Sequence, residues 1–156
     1  MTGIRTKRGS LAAAAGMAVV LAGCHAARSG VSAADGSPPP LVLGTFTDDY
    51  GHRLTITPSR WTQHPAMHFD VVAWRPRERY LVARVVSDSV GAAPQWARID
   101  WVEMPPAQAP YTWAFCLSAY DAPTRAAAEA TRIARPETPR TGCNGHPFSR
   151  MARATP

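Results

Sequence analysis

From residue 41 onward the chain alternates short apolar runs rich in Val, Ile, Thr, Trp and Tyr with breaks of Gly, Pro, Asp and Asn. That is the pattern of strands joined by turns. The runs predict strands at residues 43–47, 53–57, 67–75, 79–87, 95–104 and 111–120, with Asp48, Asp49, Tyr50 and Gly51 turning the first pair into a hairpin. No helical pattern separates one strand from the next, so an antiparallel meander is expected rather than a parallel sheet. One helix is predicted, capped by Asp121 or Thr124 with Pro123 in its first turn, running over 126–133 and stopped by Pro136 and Pro139. The tail, 141–151, is expected to return as an edge strand or an extended plug. The predicted fold is mainly β with one C-terminal helix: a small antiparallel meander, curved sheet or lipocalin-like barrel of about six to seven strands.

The beginning of the chain has a different pattern. A basic start (Arg5, Lys7, Arg8) precedes an apolar stretch at 11–21 and the small residues Ala22 and Gly23, which is the layout of a secretory signal. The stretch is shorter than the roughly 20 apolar residues of a membrane-spanning helix. The tetrad Leu21-Ala22-Gly23-Cys24 resembles the lipobox of bacterial lipoproteins. The resemblance implies cleavage before Cys24 and acylation of its sulfur and of the new amine, two anchors where one would hold only marginally. His25 follows, where an Asp often retains lipoproteins at the inner membrane, so the resemblance implies an outer-membrane anchor, on its periplasmic or its surface face. Small and polar residues up to Ser37, then Pro38 to Pro40, read as a tether that cannot bury enough apolar area to fold. The expected organisation is a leader at 1–23, a tether at 24–40 and one domain at 41–156.

Composition agrees with a single small domain. The chain has 156 residues, 46% hydrophobic and 18% charged, with 15 Pro and 11 Gly, too short for a multidomain enzyme and too rich in breakers for a helical bundle. The formal charge of +6 includes three leader bases; without them 14 Arg face 11 acids, leaving +3. Eleven dispersed acids give no electrostatic footprint for nucleic acid.

Few residues offer chemistry. Cys116 and Cys143 form an even pair in an exported chain and are expected to be a disulfide closing 27 residues, pinning helix and tail to the sheet. They lack the C-x-x-C spacing of a redox pair. Cys143-Asn144-Gly145-His146 imitates half a zinc site without a second half. His64 and His68 have helical spacing, but Pro65 argues against the helix that would make them converge. Asp48, Asp49 and Asp100 are the acids a hydrolase would use, although two acids in a turn more often cap backbone amides. No G-x-S-x-G occurs. The expectation is a protein that is not an enzyme, with no cofactor and no metal.

Binding is the remaining class. Trp96, Arg98 and Asp100 alternate with Ile99 and Trp101, so one of these two faces is expected to meet solvent or a cavity. Trp61, Trp96 and Trp101 with Arg98 are the candidate lining of an aromatic cleft for a glycan, lipid or small apolar molecule. Arg75-Pro76-Arg77-Glu78-Arg79 places three guanidinium groups at one turn, a candidate for phosphate on lipid headgroups.

Four landmarks, 44–51, Trp61, 96–101 and the paired segments 115–122 and 142–149, resemble a family of uncharacterised secreted and lipoprotein domains from Gram-negative bacteria. Relatives often carry Tyr-Cys-Gln-x-Ala-Tyr-Asp and Gly-Cys-x-Gly-Phe-Pro-Trp, from which Phe115, Leu117, His146 and Phe148 depart. The resemblance implies a small disulfide-bonded β domain and transfers no activity. The functional expectation is a lipid-anchored envelope lipoprotein with a non-catalytic binding or scaffolding domain for a protein, glycan or small molecule. Its alternatives are a lipocalin-like carrier and a hydrolase inhibitor.

Overall fold

The computed structural model describes residues 36–86 and 93–155. The expected leader, Cys24 and the expected tether as far as residue 35 lie outside the described residues. Eight antiparallel strands follow one another round a closed barrel: β1 (Gly44–Asp48), β2 (Arg53–Ile56), β3 (Arg60–Gln63), β4 (Met67–Arg75), β5 (Tyr80–Val86), β6 (Trp96–Glu103), β7 (Tyr111–Ala122) and β8 (Ser149–Arg153). One helix, α1 (Arg125–Ala130), lies between β7 and β8.

The count exceeds the six to seven strands expected, for two reasons. The four residues of β3, between the turn at Pro58 and Ser59 and the turn before Met67, hold a single apolar residue, Trp61, and so show no alternation. The tail contributes β8, which is neither edge nor plug. It pairs with β1 through Phe46 and Arg153 and with β7 through Phe115 and Ser149, and so removes both sheet edges.

Eight strands enclose a space just wide enough to be filled by side chains, and here it is filled. Phe46, Leu54, Ile56, Trp61, Phe69 and Trp113 point inward and are almost wholly buried. Trp113 meets Phe46 edge-on at 5.2 Å and Trp61 at 5.9 Å, and Trp74 meets Trp101 at 5.8 Å. A register shift between Val71 and Ala73 lets Phe69 and Trp74, an odd number of residues apart, share the interior. The Trp74 indole N–H then donates to the Pro58 carbonyl at 2.7 Å.

The outer wall has two halves. Across β3, β4 and β5 it is polar, with Arg60 opposite Asp70 and Asp70 opposite Arg84. Apolar side chains inward and charged ones outward reverse the pattern of a lipid-facing barrel. Across β5 to β8 the wall is covered. Tyr80 and Val82 on β5, with Ala122 on β7, pack under Ala128 of α1. Val102, Ala114 and Cys116 pack under Phe148 of the segment that follows the helix.

Thr124 caps α1, its hydroxyl accepting from the Ala127 amide at 3.1 Å. The helix stops at Ala130, three residues before the expected end, because Thr131 turns to an extended conformation while the Glu129 carbonyl is taken by the guanidinium groups of Arg98 and Arg132.

Candidate functional site

The residues singled out by sequence do not come together. Trp61 and Trp101 are inside the barrel, packed among aromatic rings. Arg98 is on the outer wall beneath α1, and Trp96 packs beside it with the apolar residues under the helix. The expectation that one face of β6 meets solvent or a cavity is corrected: six successive residues, Ala97 to Val102, are buried. The reason is the cover of helix and C-terminal segment over this half of the wall, which no alternation within β6 encodes.

Under that cover sits a closed polar cluster. The Arg98 guanidinium donates through Nε and Nη2 to the two oxygens of Asp100, at 2.8 and 2.6 Å, and through Nη1 to the Glu129 carbonyl at 2.8 Å. Its plane lies over the Tyr80 ring, 3.7 Å from the centroid. The Ser118 hydroxyl donates to Asp100 at 2.6 Å. Both charged side chains are about 6% exposed. The cluster therefore fastens the helix to the barrel.

The other acids are engaged too. Asp48 accepts from the Tyr50 and His52 amides at 3.0 and 2.7 Å and meets the His52 ring at 2.9 Å, capping the β1–β2 turn. Asp49 accepts the Arg150 amide at 3.1 Å and its Nε at 2.9 Å, tying the turn to β8. The hydrogen bond to Asp49 holds the Arg150 guanidinium above its ordinary pKa. His64 bonds Thr55 and His68 meets Thr62. No group of three or more His, Cys, Asp or Glu gathers as a metal site among the described residues.

The open surface lies around the C-terminal segment. Cys143 is joined to Cys116 of β7, with Cα atoms 5.5 Å apart, as the sequence led us to expect. Beyond it, Asn144 and Gly145 have φ of 51° and 87°, and Cys143 and His146 exchange two backbone hydrogen bonds of 2.9 Å. This is the tight hairpin turn that Asn-Gly favours, in place of half a metal site. Gly142 precedes the disulfide because a Cβ there would press on the Arg135 and Thr138 carbonyls.

The turn is a ridge; one recess borders it, and a second lies by Pro147 and Phe148 just beyond it. The larger, about 700 Å³, runs along the end of β7 past Tyr120 and Asp121, with Ile133, Asn144 and His146 opposite. The smaller, about 440 Å³, lies between the β6–β7 connection and the segment behind the ridge, with Met104, Pro105, Pro139 and Phe148 as apolar walls and Arg140 and Arg150 at its side. The segments 115–122 and 142–149 thus lie side by side. Leu117 and His146 line the larger recess, Phe148 lines the smaller, and Phe115 packs inside the barrel.

Sequence reading did not single out Met104, Gln108, Arg140 or Arg150, which are drawn from three separate stretches of chain. The one local signal was Asn144-Gly145, which marks the hairpin. No protein-family model, curated protein or solved structure matches this chain.

Proposed function

We propose that the protein is a lipid-anchored lipoprotein of the cell envelope whose barrel is a non-catalytic binding module that works from its outer wall. The observation that carries the binding half is the contrast between an interior filled by aromatic side chains and two recesses on the outer surface, one bordering the disulfide-held turn and one just beyond it. A rigid scaffold presenting a short loop is the usual arrangement for recognition. Asp48, Asp49 and Asp100, the acids that hydrolytic chemistry would call on, act here as acceptors for structural donors, which supports a role without catalysis. The anchoring half rests on the lipobox-like tetrad ending at Cys24 and its position directly after an apolar run with a basic start. A lipocalin-like carrier is disfavoured, because a ligand would have to displace Trp61 and Trp101 from their ring contacts.

A second reading, inhibition of a hydrolase, draws on the exposed turn at Asn144, Gly145 and His146 held by the disulfide. Preorganised loops lose little entropy on insertion into a partner's cleft. Assay of the protein against a panel of proteases and glycan hydrolases separates the two, since a pure scaffold inhibits none.

The experiment that tests the main reading has two arms. Cys24→Ala is expected to abolish incorporation of labelled palmitate and to move the protein out of the membrane fraction; unchanged labelling or fractionation rejects the anchor. A photo-crosslinking residue at position 144 in cells is expected to give a discrete adduct that is lost when the probe is moved to Arg84 on the uncovered wall. Equal adducts at both positions, or none, reject the outer recesses as the binding site.

A further inference from the structure

The smaller recess combines apolar walls with guanidinium groups at its side. Its walls are apolar: Met104 and Pro105 on one side, Pro139 and Phe148 on the other. Both walls are fixed by main-chain bonds. The Met104 amide donates to Thr112 at 3.0 Å, the Gln108 amide to Pro105 at 2.8 Å, and the Phe148 amide to Pro139 at 2.8 Å. Phe148 is buried and forms part of the apolar packing under the cover, so the floor is firm. The recess is preformed.

The polar groups round it are Arg140, Arg150, Gln108 and Asp49, and Asp49 is engaged by Arg150. Arg140 is exposed and its guanidinium has no partner among the described residues. Gln108 brings a side-chain amide, a donor and an acceptor together, with no side-chain partner among the described residues. Arg150 uses only Nε on Asp49, and its plane lies 4.4 Å from the Tyr111 ring centroid, which leaves both terminal nitrogens for another acceptor. Asp49 and Arg150 form a pair without net charge, so Arg140 carries the net positive charge of the recess, while the free terminal nitrogens of Arg150 still offer donors. A side chain that extends along the apolar walls and ends in, or sits beside, a carboxylate would meet two guanidinium groups. The Gln108 amide matches a peptide group, which offers one donor and one acceptor.

From this charge and hydrogen-bond complementarity we infer that the recess between Met104 and Phe148 binds a short acidic peptide segment, an apolar side chain on Phe148 and the prolines and a carboxylate on Arg140 and Arg150. Its volume, about 440 Å³, lies within the usual range of ligand sites. The inference rests on the binding-module reading and names the ligand class of one of its two recesses. A fatty acid would share the carboxylate, but the Gln108 amide suits a peptide group better than an acyl chain.

The test uses the full chain purified in detergent and fluorescein-labelled pentapeptides that place Leu, Phe or Met beside Glu, read by fluorescence anisotropy. Saturable binding is expected for the Glu peptides. The same peptides with Gln for Glu are expected to bind about tenfold more weakly or worse, as loss of a charged hydrogen-bond partner implies. Arg140→Ala, an exposed change that leaves the fold alone, is expected to weaken the Glu peptides by a similar factor and to remove the difference between Glu and Gln. Gln108→Ala is expected to weaken both peptides alike. No binding of Glu peptides up to about 1 mM, equal affinity for Glu and Gln, or full affinity in Arg140→Ala overturns the inference, as does palmitate binding that Arg140→Ala weakens while the peptides bind nothing. If the peptides fail but the adduct from position 144 persists, the ligand class is wrong and the binding module stands; loss of both removes the reading beneath it.

Discussion

Replacing Asp100 by Ala puts the packing of the cover to a quantitative test. Asp100 and Arg98 are both about 6% exposed, and Asp100 accepts three hydrogen bonds, two from Arg98 and one from Ser118. The substitution leaves a guanidinium buried with only the Glu129 carbonyl and the Tyr80 ring as neighbours, and leaves the Ser118 hydroxyl without its acceptor. Removing one partner of a buried ion pair costs about 3–5 kcal/mol, most of it the desolvation of the charge left behind. A domain of this kind has roughly 5–15 kcal/mol in total, so the variant should be close to unfolding. Replacing both partners with apolar residues, Arg98→Met with Asp100→Leu, removes both charges and should cost less than either single change, within about 2 kcal/mol of the parent. The assay is urea unfolding of the disulfide-intact protein, followed by Trp fluorescence and far-ultraviolet circular dichroism. With a slope of about 1.5 kcal/mol per molar urea, Asp100→Ala should lower the midpoint by about 2–3 M. A loss below about 1 kcal/mol, or a double variant as unstable as the sum of its singles, would refute the view that this pair is desolvated and mutually dependent.

Two further perturbations address the cover. Cys116→Ser with Cys143→Ser opens a loop of 27 residues and should cost about 3.5 kcal/mol on the chain-entropy model; mass spectrometry of the unreduced parent should show the two joined, and two alkylatable thiols in protein isolated from the envelope would contradict the bridge. Gly142→Ala puts a methyl group against the Arg135 and Thr138 carbonyls, 2.7 Å from the latter, and should cost about 1–3 kcal/mol with faster exchange of the Arg135 amide, which donates to Gly142; unchanged exchange would mean that the segment is not packed there.

Much of the barrel was legible because strands half-buried on a curved sheet carry a period of two, and Phe46, Leu54 and Ile56 keep it without interruption. A cap before the alanine run was legible as Asp121 or Thr124, and the structure selects Thr124. The disulfide was legible from the pairing of two cysteines in a chain with an export-type leader. The period fails where register shifts break it, between Val71 and Ala73 and opposite Arg98, because a bulge changes which face a residue takes and depends on the partner strand. It fails for β3 because Trp61 stands there as the one apolar residue, among Arg60, Thr62 and Gln63.

The sequence by itself determined the elements whose cause is local: alternating strands, a capped short helix and a cysteine pair. The tertiary structure alone decided that β8 closes the barrel, that β6 is covered on both sides, and that Arg98 meets Asp100 rather than a ligand. It also decided that Met104, Arg140 and Phe148, from distant stretches, share one recess. The physical reason is that propensity and periodicity act over a few residues, whereas closure, desolvation and cavity shape depend on which distant surfaces exclude water from one another.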